Sequence, residues 1–325
     1  MMQPFLLNMY MNSGWAARGG RCAGRRIPTD DADNHMMEEA LNEELKRACE
    51  EWAEAGQHGT VEERIARSRR WLAYYDMMAK LQGDSWNEEG TPTKIAEYLK
   101  QKGCISEQLS VLDIGAGCGG YTLPLAQRTA WVRALDMSAE SLMVIRRRAQ
   151  SAGIGNILCT QGAWERFGDE QSYGFVFSAM CPAICNYDEL RRMEKLSRGY
   201  CGLVTVARGS YDLHRCELMR RLDVRPVGGM ATEAQRYFDI LTLMGRKPEI
   251  ATYIVHEEYD RDPEEFCQTN EVYLSLFDMD PVRASEGIRA YREEVVEDGV
   301  IHDVSHLNLA LITWKAANKN YHHKC

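Results

Sequence analysis

The segment Asp113-Ile114-Gly115-Ala116-Gly117-Cys118-Gly119-Gly120 concentrates the residue types able to do chemistry. The apolar run 111–114 leads into it, and a helix-like stretch follows. Glycines at this spacing let the backbone turn sharply and let a ligand approach where a Cβ would clash. In open α/β sheets such a turn lies at the carboxyl ends of the strands, where ligands bind. Gly115, Gly117 and Gly120 fit G-x-G-x-x-G, the fingerprint of dinucleotide sites, while Gly115, Gly117 and Gly119 fit the tighter G-x-G-x-G. The glycines alone do not choose between the two. Asp113 does. Backbone N–H groups and a helix N-terminus hold a pyrophosphate, and a carboxylate beside it would repel it. Asp113 suits a ligand with a cationic end and no phosphate. A second acid, Asp136, closes the run 132–135, 21 positions after Gly115. A carboxylate there can accept both hydroxyls of a ribose.

Other reactive side chains are scattered. Met180-Cys181-Pro182-Ala183-Ile184-Cys185-Asn186 leaves a further apolar run, and its character predicts a reaction partner with a nonpolar part. Cys181 has no histidine or lysine beside it to lower its pKa, so it reads as a lining residue. His214, near Tyr211, follows a later strand and is the candidate general base. His302 and His306 read as structural, and Arg146-Arg147-Arg148 as the solvated face of a helix. Trp86 either closes over the ligand or packs in the core. The 11 cysteines contain no doubled C-x-x-C, so no metal site is expected.

Alternating elements must carry these residues. Short apolar runs at 111–114, 132–135, 157–160, 175–178 and 203–207 read as strands, with helical stretches between them, clearest at 139–152 and 188–196. Such alternation means a parallel sheet covered on both faces. Two later strands fall at 250–256 and 306–314, and the acidic stretch from Glu257 to Glu265 reads as a solvated loop. Ser138 is placed to cap the helix after Asp136. Apolar residues recur at helical spacing from Met37 to Ala55, Gly56 and Gly59 break that helix, and Thr60 with Glu63 forms a capping box for the next. The expected fold is therefore α/β, a doubly wound, mostly parallel seven-stranded sheet with its last strand antiparallel, plus N-terminal helices and helical insertions forming a cap. Residues 1–35, with four arginines and no acid before Asp30, read as a disordered leader or as a start placed too early. Residues 36–84 form the helical cap, 85–317 the main domain with helical insertions at about 211–245 and 263–297, and 318–325 a tail.

Over residues 85–256 this pattern resembles the class I S-adenosylmethionine-dependent methyltransferases, a Rossmann-like superfamily. The resemblance implies that Asp113, Gly115, Ala116, Gly117 and Gly119 wrap the methionine end of S-adenosylmethionine. It implies Asp136 on the ribose, with Met137 beside the adenine. Gly162, Ala163 and Trp164 would line the adenine, and Ser178 the end of the fourth strand. Two positions depart from the family: Ala163 and Gly174 stand where many members carry an acid. Trp86, Met180, Cys181 and Tyr187 are expected to line the acceptor pocket.

The formal charge of −9 lacks the basic stripe of a nucleic-acid surface, so a nucleic-acid partner is disfavoured. No apolar run reaches the roughly 18 residues of a membrane helix, and the expected location is cytoplasmic. The expected function is methyl transfer to a small-molecule acceptor. A catalytically silent cofactor-binding protein acting through a partner, or a protein or RNA methyltransferase, are the alternatives. A nicotinamide oxidoreductase is disfavoured by Asp113. A homodimer is compatible with the sequence.

Overall fold

The computed structural model describes residues 41–51, 60–81, 86–168, 172–224 and 233–317. The expectations for residues 1–35, the break at Gly56 and Gly59, and the tail at 318–325 lie outside the described residues.

Helical residues 41–51 (α1) precede α2, Val61–Leu81. The start of α2 is set by the expected capping box. The Thr60 N–H donates to Glu63 Oε2 at 2.7 Å, and the Glu63 N–H donates to Thr60 Oγ1 at 3.2 Å. These two bonds satisfy donors that a helix start leaves without intrahelical partners. Then α3, Thr91–Gln101, begins with Pro92 in its first turn, where a missing N–H costs nothing.

The α/β core follows. Its elements are β1 (Ser110–Ile114), α4 (Thr122–Ala126), β2 (Trp131–Asp136), α5 (Ala139–Ser151), β3 (Ile157–Gln161), β4 (Tyr173–Ala179), α6 (Tyr187–Leu196) and β5 (Ser197–Val206). A short 3₁₀ turn, Trp164–Arg166, follows β3. The chain then forms β6 (Tyr211–Asp212), α7 (Leu213–Arg221), α8 (Glu233–Leu243), β7 (Glu249–Arg261), α9 (Pro263–Ser275), α10 (Pro281–Val295) and β8 (Ile301–Lys315). Strands run in the order β3-β2-β1-β4-β5-β8, with β1 to β5 parallel. The doubly wound sheet with an antiparallel last strand is as expected: β8 is antiparallel to β5 and to β7. All five residues of β1 are buried, as a central strand covered on both faces requires.

Two readings of the sequence are corrected here. The start of the 211–245 segment is not helical; β6 is an eighth strand, pairing Tyr211 and Asp212 with His306 and Ser305 of β8. And Glu257–Arg261 is not a loop. β7 runs on through it, with Glu257 opposite Ser305 and Arg261 opposite Ile301. Successive side chains of a strand point to opposite faces. The odd-numbered residues of β7 are the less exposed, and they share a face with the odd residues of β8, which are buried from Ile301 to Leu311. Two inward charges, Glu257 and Arg261, hide this alternation in the sequence. The Arg261 guanidinium is held inside the fold, donating to Asp303 Oδ2 at 3.0 Å and to Thr269 Oγ1 at 2.7 Å.

The helix α2 lies across this framework and is bonded at several points. Ser68 Oγ donates to Glu165 Oε1 at 3.5 Å, just after β3. Ser138 Oγ donates to Asp76 Oδ1 at 2.5 Å, at the start of α5. Arg70 pairs with Asp278 at 2.6 Å, and Trp71 and Tyr74 pack edge-on to Tyr273 of α9.

Candidate functional site

The turn after β1 is built on three left-handed glycines: Gly115 (φ +70°), Gly117 (φ +53°) and Gly119 (φ +83°). Each meets a different constraint. A Cβ on Gly115 would lie 2.5 Å from Cys181 Sγ, so the loop after β4 presses directly on this turn. Around Gly117 there is open space within 4 Å, and its N–H donates to Asp136 Oδ2 at 2.8 Å. At Gly119 a Cβ would strike Leu123 and Ile145, so this glycine lets α4 and α5 close on the sheet.

The two acids differ. Asp113 is 1% exposed and accepts a 2.6 Å bond from Thr122 Oγ1. Burial pushes its carboxyl up to about 7 against the pull of that hydroxyl, and the charge of Asp136 adds to the rise. Its first partner is therefore Thr122, not the open mouth of the loop that the sequence suggested. Asp136 accepts from Gly117 N–H through Oδ2 and from Ser138 N–H through Oδ1, each at 2.8 Å. Burial raises its pKa despite those two bonds. A carboxylate has about four lone-pair sites, so Asp136 keeps acceptor capacity beyond these two backbone bonds. Ser138 caps α5 as expected, accepting from Ser141 N–H at 2.9 Å.

A cavity of about 500 Å³ opens over this turn. That volume is within the range of small-ligand sites, about 300–1,000 Å³. It runs along the ends of the strands from Gly162 after β3, past Asp136, Gly115 and Met180, to Val255 and Glu257 of β7 and Leu307 of β8. Such a position spans the point where strand order reverses between β1 and β4. Its roof comes from α2 (Ser68, Leu72, Tyr75 and Met78) and from Trp86. The carboxylates of Glu89, Asp113, Asp136, Glu165 and Glu257 line it, against the cations Lys94 and Arg148. Glu165 Oε2 is buried on this wall with no hydrogen-bond partner among the described residues.

Asp113, Gly115, Ala116, Gly117, Asp136, Met137, Gly162, Trp164, Trp86, Met180 and Cys181 therefore meet on one cavity. Other expected residues do not. Gly119 packs inward, as above. Ala163 precedes the 3₁₀ turn without lining the cavity. Ser178 is spent on the sheet, donating to Ile114 O at 3.0 Å. Tyr187 lies at the start of α6, where its hydroxyl accepts from Arg191 at 3.0 Å. His214 is not at the cavity: Nδ1 bonds Tyr291 Oη and Nε2 bonds His302 O, both at 2.8 Å. It ties α7 to α10 and β8 and has no nitrogen left for a substrate. Trp164 is 3% exposed; its N–H donates to Glu189 at 2.5 Å and the Arg192 guanidinium lies 4.0 Å from its ring centre. Burial pushes the Cys181 thiol up to about 12, which disfavours the thiolate a nucleophile would need. Gly174, where the family often has an acid, is near the amino end of β4, away from the cavity; a Cβ there would strike Leu109. The sequence reading missed Glu165, Glu257 and Tyr75. For Tyr75 a signal existed, the helical spacing from Val61 to Ala79; for the two acids there was none.

Fold and cavity together define a doubly wound α/β protein whose ligand site lies at the carboxyl ends of its strands, over a glycine turn flanked by acids. Residues 111–198 match the family model described as "Methyltransferase domain". Over these residues the chain is similar to a methyltransferase domain, in line with the resemblance drawn from the sequence. A trimethylguanosine synthase of Saccharomyces cerevisiae is 31% identical over 84 residues, 25% of this chain and 27% of that protein. The chain thus spans about a quarter of the length of the curated relative it matches. Among solved structures, a coclaurine N-methyltransferase bound to N-methylheliamine and SAH aligns at 13% identity over 86% of this chain and 94% of its own, with a TM-score of 0.41. A putative methyltransferase of Bacillus halodurans aligns at 15% identity over 69% and 100%, with a TM-score of 0.43. Among the described residues no helix is long and apolar enough to cross a membrane, and no three His, Cys, Asp or Glu side chains group to hold a metal ion.

Proposed function

We propose that this chain transfers the methyl group of S-adenosylmethionine to a small acceptor bound in the same cavity, between the Met180-Cys181 loop and β7. The observation that carries this reading is the charge of the lining, five carboxylates against two cations. The donor brings an ammonium and a sulfonium against one carboxylate, and no phosphate. A pyrophosphate ligand would meet net repulsion here. When bound, the donor supplies an electrophilic methyl carbon.

The residues fit such a molecule. Gly117 leaves open space where a side chain would intrude. Asp136 retains acceptor capacity for a ribose diol. Glu165 Oε2, buried and without a partner among the described residues, supplies a carboxylate acceptor two residues after Ala163, and it suits the exocyclic amine of adenine. Methyl transfer demands alignment and exclusion of water more than acid–base chemistry. The chain meets both needs by pressing Cys181 on Gly115 and by roofing the cavity with α2.

The relative named trimethylguanosine synthase brings guanosine into consideration as an acceptor. The acidic lining favours an acceptor without phosphates. Calorimetric titration with S-adenosylhomocysteine and with NAD tests the reading. Binding of the first with micromolar affinity and no uptake of the second is expected; the reverse result refutes it. Labelled donor with a metabolite extract, with guanosine and with capped RNA then sorts the acceptor classes.

A further inference from the structure

We propose that the acceptor is an amine, bound as its ammonium ion, and that Glu257 anchors it and takes its proton. The proposal rests on the methyltransferase reading of the cavity.

Glu257 stands on the inward face of β7 with Tyr253, Val255 and Tyr259. The wall leading to it is hydrocarbon: Val255, Leu307, Leu309, Met180 and Pro182. At the end of this wall a single carboxylate faces the cavity, with no hydrogen-bond or ion-pair partner among the described residues. Directly across the ladder is Ser305, which is 1% exposed and whose Oγ has no partner among the described residues. On the other side of β8, Ser305 is paired with Asp212, whose Oδ2 is likewise buried and without a hydrogen-bond partner among the described residues.

The charges behind this wall are accounted for. Asp212 and Asp303 are buried beside two buried cations, Arg215 and Arg261, so that group is neutral overall. From the facing loop and α3, Glu89 and Lys94 also line the cavity and offset each other. His256, the neighbour of Glu257 in sequence, also borders the cavity, and its Nδ1 lies 3.3 Å from that of His306. Glu257 has no compensating side chain among the described residues. Burial already raises its carboxyl pKa. An acceptor sliding over it would strip more water from a charge that no described side chain repays, a cost that a cationic acceptor offsets. The Glu257 carboxylate offers two oxygen acceptors, and an ammonium carries three N–H donors. A phenol or carboxylic acid offers one donor and no positive charge.

The chemistry balances. One ammonium N–H proton passes to the Glu257 carboxylate. The freed nitrogen lone pair forms the N–CH₃ bond as the CH₃–S bond breaks, and that electron pair stays on sulfur as a thioether. The product leaves as a methylated ammonium, and Glu257 returns its proton to water. A base whose pKa is raised toward neutrality performs this step better than an ordinary glutamate.

The test uses the full chain saturated with S-adenosylhomocysteine, titrated with 2-phenylethylamine and with its neutral counterpart 2-phenylethanol. The amine is expected to bind at least tenfold more tightly. Glu257→Gln should cut that preference to within twofold, Glu257→Asp should restore part of it, and S-adenosylhomocysteine affinity should hold in both variants. Equal binding of amine and alcohol, binding of neither, or a preference that survives Glu257→Gln overturns the proposal. So does methyl transfer from labelled donor to phenols or carboxylic acids but to no amine. Failure of S-adenosylhomocysteine to bind at all would instead strike the methyltransferase reading, and this proposal with it.

Discussion

Cys181 occupies the space a side chain on Gly115 would need: its Sγ is 2.5 Å and its Cβ 2.7 Å from where a Cβ on that glycine would stand. The turn after β1 and the loop after β4 are thereby locked together, and they form adjoining walls of the cavity. Gly115→Ala should cost about 1–3 kcal/mol in left-handed strain alone. The clash adds to this and displaces Cys181 into the ligand space. A lower melting temperature and at least tenfold weaker S-adenosylhomocysteine binding are expected. Adding Cys181→Gly removes both clashing atoms and should recover part of the loss. Strict additivity of the two substitutions would show that the contact is not the cause.

Asp113 makes both stability and affinity depend on pH. Its carboxyl is raised in the folded chain to about 7, from 3.8. An acid with a raised native pKa supports the fold fully below its unfolded value, and that support is lost as pH climbs through the native one. Unliganded Asp113→Asn should therefore melt higher than the parent at pH 8 and show no such gain near pH 4. Donor binding should respond in the opposite sense. A nearby cation favours the ionised carboxylate, so affinity for S-adenosylmethionine should weaken as pH falls below 7 and lose this dependence in the variant. Titrations at pH 5.5, 7 and 8.5 that give one constant affinity for the parent chain contradict this account.

Glu165 offers a sharper probe of orientation. A hydrogen bond to a charged group contributes about 1.5–3 kcal/mol, or about 10- to 100-fold in affinity. Glu165→Gln should weaken S-adenosylhomocysteine by that amount. The inosine analogue, which carries oxygen in place of the adenine amine, should bind both proteins alike. Equal weakening of both ligands would place Glu165 elsewhere in the site.

His214 is a structural residue, and its replacement should show it. With both ring nitrogens bonded, His214→Phe leaves the Tyr291 hydroxyl and the His302 carbonyl without their partner, at about 1–3 kcal/mol. Thermal melts should record that loss while calorimetry returns the parent affinity for S-adenosylhomocysteine. A tenfold change in affinity would bring His214 back into the site.

What the sequence disclosed follows from the range of the forces involved. The turn from Asp113 to Gly119, the acid at Asp136 and the caps at Thr60 and Ser138 are local features, set by residues within a few positions of each other, and all were legible. The parallel core was legible because its strands are continuous apolar runs. β7 past His256 was not. Inward Arg261 is tolerated by a partner far along the chain, Asp303, and nothing local announces it or Glu257. Glu165 was hidden in the same way, since its role depends on Ser68 of α2 and on an oxygen left unpaired by the fold. Ser178 was placed by its position at the end of a strand and Tyr187 by its position after one, but a side chain's direction, not its number, decides which residue meets the cavity.

The helix α2 carries one more implication. Through Ser68, Arg70 and Asp76 a single stiff rod of 21 residues is fastened to the turn after β3, the connection between α9 and α10, and the head of α5. Its middle, with Leu72 and Tyr75, is also the ceiling of the chamber. Passage of spent and fresh donor is therefore mechanically linked to these fastenings, and a substitution at Arg70 or Asp76, away from the lining, should change the exchange rate more than the chemistry.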